Sequence, residues 1–190
     1  MPLHILGLGG STTTPSTSVA ALRIALAGAE SAGATTTLLD LAALDIPIYR
    51  HQGEPPAVAV QLVEAVTAAQ GLIWSTPLYH GAMSGLLKNA LDWLELLDKR
   101  VPPYLADKPV GLVATAGGMQ ALQAINNMEQ VVRALRGHTV PLVGPINRAW
   151  QVFDDQGAVK DPKVERMLRG VGEEVVRVAR KFAGAERLFG

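Results

Sequence analysis

The residues able to bind or activate a ligand concentrate in three short segments, the first being GGSTTTPSTS at positions 9–18. Ser11, Thr12, Thr13, Thr14, Ser16 and Thr17 supply six hydroxyls, and Ser18 adds a seventh. The segment leads into a helical pattern. A helix start presents unpaired N–H groups and the positive end of the helix dipole, which favour an anion. The spacing GxxxxGK[ST] is absent, so no lysine is placed for a triphosphate, and GxGxxG is absent because Gly7, Gly9 and Gly10 are followed by hydroxyl residues. The segment suits a monophosphate held by neutral donors. The competing assignment is an N-cap and an ordinary turn, since Ser and Thr are common caps.

The second segment is TPLYHGAMSG at positions 76–85. Pro77 restricts Thr76 and is expected to end a strand. Leu78, Tyr79 and Met83 offer an apolar wall for a flat ring, with His80 at the ring's polar edge or in solvent. For Tyr79, a core or interface role competes with ligand contact. Ser84 is placed to cap a helix. The third segment is TAGGM at positions 115–119. Thr115 is a hydrogen-bond donor, and Gly117 and Gly118 let a ligand lie against bare backbone. The N–H groups there suit the carbonyl edge of a planar heterocycle and can offset negative charge on it. The competing assignment is a glycine turn before a helix.

Several other chemistries find no support. His4, His51, His80 and His138 lack metal-ligand spacing, and there is no cysteine. Asp92 and Glu95 read as a solvated acidic pair on a helix. GxSxG is absent, and Ser11 has no His and Asp partners in triad order.

These segments must be positioned by the elements around them. Short apolar runs at 3–8, 35–41, 71–76, 109–115 and 139–143 predict five strands. Helical periodicity predicts helices from Val19 to near Gly33, from Pro55 or Pro56 to about Ala69, over 84–98, over 119–135, and over 161–184 at the C-terminal end. Continuous apolar strands alternating with amphipathic helices indicate a parallel sheet covered on both faces, a three-layer α/β fold. Of the two strand orders in use for such sheets, five strands in one small domain favour the flavodoxin-like 2-1-3-4-5. Residues 1–190 then form a single domain, and the loops after strands one, three and four meet at the carboxyl edge of the sheet.

Composition bounds the remaining possibilities. The chain has 190 residues, 48% of them hydrophobic and 18% charged, enough for a sizeable core. Lys plus Arg and Asp plus Glu are 17 each, so the net charge is zero and no bulk charge draws the protein to nucleic acid. The low charge points to an oligomer with a buried apolar face. No apolar segment is long enough to span a bilayer and no export signal is present, so the expected location is the cytoplasm.

The combination Thr76-Pro77-Leu78-Tyr79-His80-Gly81, Ser84-Gly85 and Leu87-Lys88-Asn89-Ala90-Leu91-Asp92-Trp93 resembles the NADPH-dependent FMN reductase family of the flavodoxin-like superfamily. Gly117-Gly118 after a strand, and Gly10-Ser11 followed by Ser16 and Ser18, are further matches, and the resemblance covers about residues 3–143. It implies an oxidoreductase, a flavoprotein that binds FMN at the three loops and reduces it with NADPH or NADH. It assigns the FMN phosphate to Ser11, Ser16, Ser18 and Val19, and the ring to Pro77, Leu78, Tyr79 and His80. Thr115, Ala116, Gly117 and Gly118 take the ring's polar edge. Lys88, Asn89 and Asp92 are assigned to fixing the helix or a dimer interface. Two positions depart from the family pattern: Thr13 stands where many relatives have a basic residue, and Leu78 where Glu is frequent.

The implied reaction is hydride transfer from nicotinamide C4 to flavin N5, with the reacting atoms about 3–3.5 Å apart. It requires no catalytic side chain and no metal. The resemblance further implies a homodimer or homotetramer and no membrane partner. A flavin-dependent monooxygenase receiving reduced flavin is a candidate partner. The alternative readings are an FMN-containing quinone or azo reductase, a flavodoxin-like electron-transfer module, and a non-catalytic scaffold.

Overall fold

In a computed structural model, described here over residues 3–185, there are seven strands and seven α-helices. In chain order they are β1 (His4–Gly9), α1 (Thr17–Ser31), β2 (Thr35–Asp40), α2 (Leu41–Leu44), α3 (Ala57–Ala68), β3 (Gly71–Tyr79), β4 (Ala82–Met83), α4 (Gly85–Asp92), a 3-10 turn (Trp93–Leu97), β5 (Pro109–Thr115), α5 (Ala121–Ala134), β6 (His138–Thr139), β7 (Gly144–Ile146), α6 (Ala149–Val152) and α7 (Pro162–Ala185). β1, β3 and β5 pair in parallel, and their side chains alternate between two cores. Ile5, Ile73 and Val113 point to α1 and α7, whereas Leu6, Leu72, Trp74 and Leu112 point to α3, α4 and α5. Burial on both faces explains why these strands read as unbroken apolar runs.

The three-layer parallel architecture is as expected, but the five-strand sheet with order 2-1-3-4-5 is corrected. The order is β2-β1-β3-β5-β6, with β4 paired to β3 and β7 paired to β5. Two local features account for the difference. The strand expected over 139–143 is broken, with β6 ending before Pro141 and β7 resuming at Gly144. Pro77 does not end β3, which continues to Tyr79 and turns back as a hairpin. β1 accompanies β3 only as far as the Gly9–Ser75 pair, so Pro77 has β5 on one side and no strand on the other. Proline is tolerated where a strand has such an open side.

The LKNALDW stretch has a packing role. Asn89 accepts the Tyr49 N–H at 2.8 Å and donates to the carbonyls of Pro47 and Ile46 at 3.1 and 3.3 Å. Trp93 donates its indole N–H to the same Pro47 carbonyl at 2.9 Å and meets the Tyr49 ring edge-on. Together they tie the irregular 46–49 segment to α4. Asn89→Ala leaves this N–H and the Ile46 carbonyl without a protein partner, and is expected to lower unfolding free energy by about 2–3 kcal/mol in a urea titration. A loss below about 0.5 kcal/mol would contradict this role. Lys88 pairs with Asp92 on the surface of the same helix, an exposed contact of little energetic weight.

At the opposite edge of the sheet, Lys108 donates its amine to the carbonyls of Thr67 and Ala69. It thereby covers the C-terminal end of α3, where a cation suits the helix dipole. Burial holds its pKa below the ordinary lysine value.

Candidate functional site

β1 stops at Gly9, and the chain passes through a hydroxyl-rich loop into α1, whose N-cap is Ser16. The Ser16 Oγ accepts the Val19 N–H at 3.2 Å and lies 3.0 Å from the Ser18 Oγ. The two readings of this loop are therefore compatible. A hydroxyl that accepts from the backbone as a cap still has its own proton to donate. Ser18 is buried, and its carbonyl accepts the Ser75 hydroxyl at 2.8 Å, which fixes the first turn of α1 against β3. Thr17 donates to the Thr115 Oγ1 at 3.3 Å, joining the loop to the end of β5. The first turn of α1 carries no acidic residue, so nothing there opposes an anion.

The second segment is set by the hairpin. Tyr79 pairs with Ala82, and His80 and Gly81 between them have φ of 49° and 84°. Two successive positive φ values are the mark of a tight two-residue hairpin turn. Ser84 donates its N–H to Thr76 Oγ1 at 2.9 Å and caps α4 by accepting the Leu87 N–H at 3.2 Å. Asn127 on α5 accepts the Met83 N–H at 3.2 Å. The strand end Pro77-Leu78-Tyr79 is thus held from two helices.

The third segment is held by residues 146–150. The Ala116 N–H donates to Ile146, and Ala149 and Arg148 donate their N–H groups to the carbonyls of Ala116 and Gly118, all at 2.9 Å. The Trp150 indole N–H donates to the Gly117 carbonyl at 3.3 Å. Ala116 therefore has no N–H left for a ligand. Those of Gly117 and Gly118 have no internal acceptor among the described residues, and a Cβ built on either glycine meets nothing within 4 Å.

One cleft of about 280 Å³ joins the three segments. Its lining includes Ser11, Ser16, Ser18, Pro77, Leu78, Tyr79, Thr115, Ala116 and Gly117. Three expected residues do not line it. Val19 faces the neighbouring cleft and gives its N–H to Ser16. His80 is exposed at the hairpin tip, and Gly118 is exposed beyond the cleft. Thr13 and Thr17, two of the loop hydroxyls, also line it, as do Pro15, Ala149 and Trp150, which sequence reasoning missed. For Pro15 the signal was its place within the loop. For Trp150 it was a large aromatic just after a strand end at the same sheet edge.

Two other cavities, each of about 370 Å³, are larger. One lies on the other flank of the first loop and contains Arg23 and Asp40. The other lies at the opposite sheet edge, around Lys108, Tyr104 and Phe182. Neither joins all three segments, so chemistry rather than volume selects the smaller cleft. Among the described residues no cluster of three or more His, Asp or Glu is placed for a metal, and no helix is long and apolar enough to cross a membrane.

A monophosphorylated planar ligand fits the residues present. Hydroxyls line one end, an apolar strand end forms a wall, and a turn without side chains offers the unpaired N–H of Gly117. Gly117→Ala covers the open backbone with a Cβ that meets no atom of the protein. It is expected to leave the melting temperature of the free protein within about 2 °C while weakening the ligand at least about tenfold. Unchanged affinity by fluorescence titration would place the ligand away from this turn.

The family model described as NADPH-dependent FMN reductase matches residues 3–151. The chain is 31% identical over 145 residues to the NADPH-dependent FMN reductase ArsH of Acidithiobacillus ferrooxidans, covering 76% of this chain and 60% of that protein. It is 32% identical over 174 residues to the NAD(P)H-dependent FMN reductase PA1204 of Pseudomonas aeruginosa, covering 88% of this chain and 90% of that protein. Among solved structures, the flavoenzyme NAD(P)H:(acceptor) oxidoreductase FerB of Paracoccus denitrificans superposes with a TM-score of 0.75 at 20% identity, covering 94% of this chain and 98% of that one. At that identity the likeness concerns the fold.

Proposed function

Because the chain belongs to the NADPH-dependent FMN reductase family, we propose that the carboxyl-edge cleft binds FMN and that the protein oxidises NAD(P)H with it. The observation that carries this reading is the meeting of the Ser11, Ser16 and Ser18 loop, the Pro77-Leu78-Tyr79 strand end and the Thr115-Ala116-Gly117 turn in one cleft. When bound, FMN supplies a ring that accepts a hydride from reduced nicotinamide.

The chain's own residues have distinct tasks. Ser11, Ser16 and Ser18 donate hydroxyl protons to the phosphate, while α1 adds the field of its N-terminus. Pro77, Leu78 and Tyr79 hold the ring and keep water from one side of it. The free N–H of Gly117 meets its polar edge, where a preorganised donor favours the negative charge that reduction brings. Val19 serves the cap and not the ligand directly. His80, a turn residue, has no part in the reaction.

We infer a cytoplasmic setting, which suits a chain without cysteine. We also infer a homodimer or homotetramer, supported by the low charge and by exposed Tyr79, Met119, Leu122 and Trp150. The catalytic test is to add FMN to the purified protein, then NADH or NADPH. Nicotinamide oxidation that depends on FMN and saturates with it is expected. Absence of both flavin binding and FMN-dependent oxidation would overturn the reading.

A further inference from the structure

We propose that Arg23 is the cation of the phosphate site: from the second turn of α1 it serves the phosphate held by the first loop and offsets the carboxylate of Asp40. The inference rests on the FMN reading above. It gives a role to the cleft on the loop's other flank, which that reading leaves unused.

The argument begins with charge. A phosphate monoester carries nearly two negative charges at neutral pH. No Lys or Arg lines the cleft assigned to FMN, and none precedes Arg23 in the chain. A negative group already stands at the loop. The Asp40 Oδ1 lies 3.0 Å from where a Cβ on Gly10 would sit, and it accepts the Ala42 N–H at 3.1 Å. That bond caps α2 and leaves the carboxylate its charge. Hydroxyls alone would hold the phosphate beside a like charge, which costs affinity.

The missing charge lies across the loop. The second cleft, of about 370 Å³, shares Ser11, Thr13, Pro15 and Ser16 with the first. The phosphate loop is therefore the wall common to both. On α1 the lining of the second cleft runs Ser16, Val19, Ala20, Arg23 and Ile24, the spacing of one helix face. Arg23 thus lies two turns beyond the N-cap Ser16 on the same face, about 10 Å along the axis. Long side chains on a helix lean back towards its N-terminus, so the Arg23 stem extends towards Ser16. Arg23 is exposed and joins none of the ion pairs among the described residues. Arg23 and Asp40 are the two charged residues of this lining. Neither core packing nor a carboxylate holds the guanidinium, which leaves it available to an anion.

The test titrates FMN and riboflavin by flavin fluorescence, at low and high salt, into wild type, Arg23→Gln, Arg23→Lys and Asp40→Asn. Arg23→Gln binds FMN roughly tenfold more weakly at low salt, the weight of a charge-assisted contact discounted for exposure. The gap narrows at high salt. Riboflavin affinity stays within about twofold, because riboflavin has no phosphate, and the melting temperature of the flavin-free protein is unchanged. Arg23→Lys keeps most of the FMN affinity. Asp40→Asn, which preserves the cap, binds FMN about threefold more tightly and riboflavin as before. Unchanged FMN affinity in Arg23→Gln, or an equal loss for both flavins, overturns the assignment of Arg23. FMN affinity that does not rise in Asp40→Asn overturns the opposing role of that carboxylate. A wild type that binds neither flavin ends the functional reading itself, and this inference with it.

Discussion

FMN binds at least about a hundredfold more weakly to the Ser16→Ala/Ser18→Ala protein than to wild type, while riboflavin affinity changes little. A hydrogen bond to a charged group is worth roughly 1.5–3 kcal/mol, and each serine supplies one to the phosphate. The two hydroxyls lie 3.0 Å apart, close enough to serve one phosphate group. Ser16→Ala also removes the cap of α1, which costs about 1 kcal/mol of stability. That loss is shared by both flavins and cannot produce the difference between them. Isothermal titration of both ligands measures it. Equal losses for FMN and riboflavin would move the phosphate away from this loop.

Gly172→Ala destabilises the protein by at least about 3 kcal/mol, the upper part of the range for overpacking. A Cβ at Gly172 would sit 1.9 Å from the Ala25 carbonyl oxygen and 2.7 Å from the Ala29 nitrogen. One at Gly28 would sit 2.0 Å from the Arg169 oxygen. The two glycines face each other's helix across the α1–α7 contact. The obstructing atoms are backbone, so no rotamer change relieves the clash, and the helices must separate. A loss of this size is a large share of the stability of an ordinary domain. Because α1 carries Ser16 and Ser18, FMN affinity falls as well. Urea unfolding followed by circular dichroism measures the change, and a loss below about 1 kcal/mol would show that the helices can part cheaply.

These predictions draw unequally on what the sequence alone makes legible. β5 spans Pro109–Thr115, as its apolar run and the following glycine pair indicate. The loop at 9–18 and the turn at 115–119 were readable because small and hydroxyl residues stand out between apolar strands. Pro77 misled, because its tolerance depends on β1 having already ended, a tertiary fact. His80 misled for a related reason. Its left-handed backbone serves a tight turn, a position where Asn or Asp would have announced the hairpin. The break at Pro141 split what reads as one strand. Trp150 was missed because its place is set by hydrogen bonds to a segment more than thirty residues away, which no local pattern encodes.

The account stands on one phosphorylated planar ligand spanning the three segments at the carboxyl edge of the sheet. The most direct measurement is a crystal structure of the FMN complex. It should place the phosphate within hydrogen-bond distance of the Ser16 and Ser18 hydroxyls, with the ring between Leu78-Tyr79 and the Thr115-Ala116-Gly117 turn. A phosphate held elsewhere, or a ring lodged in the cavity around Lys108 and Phe182, would contradict it.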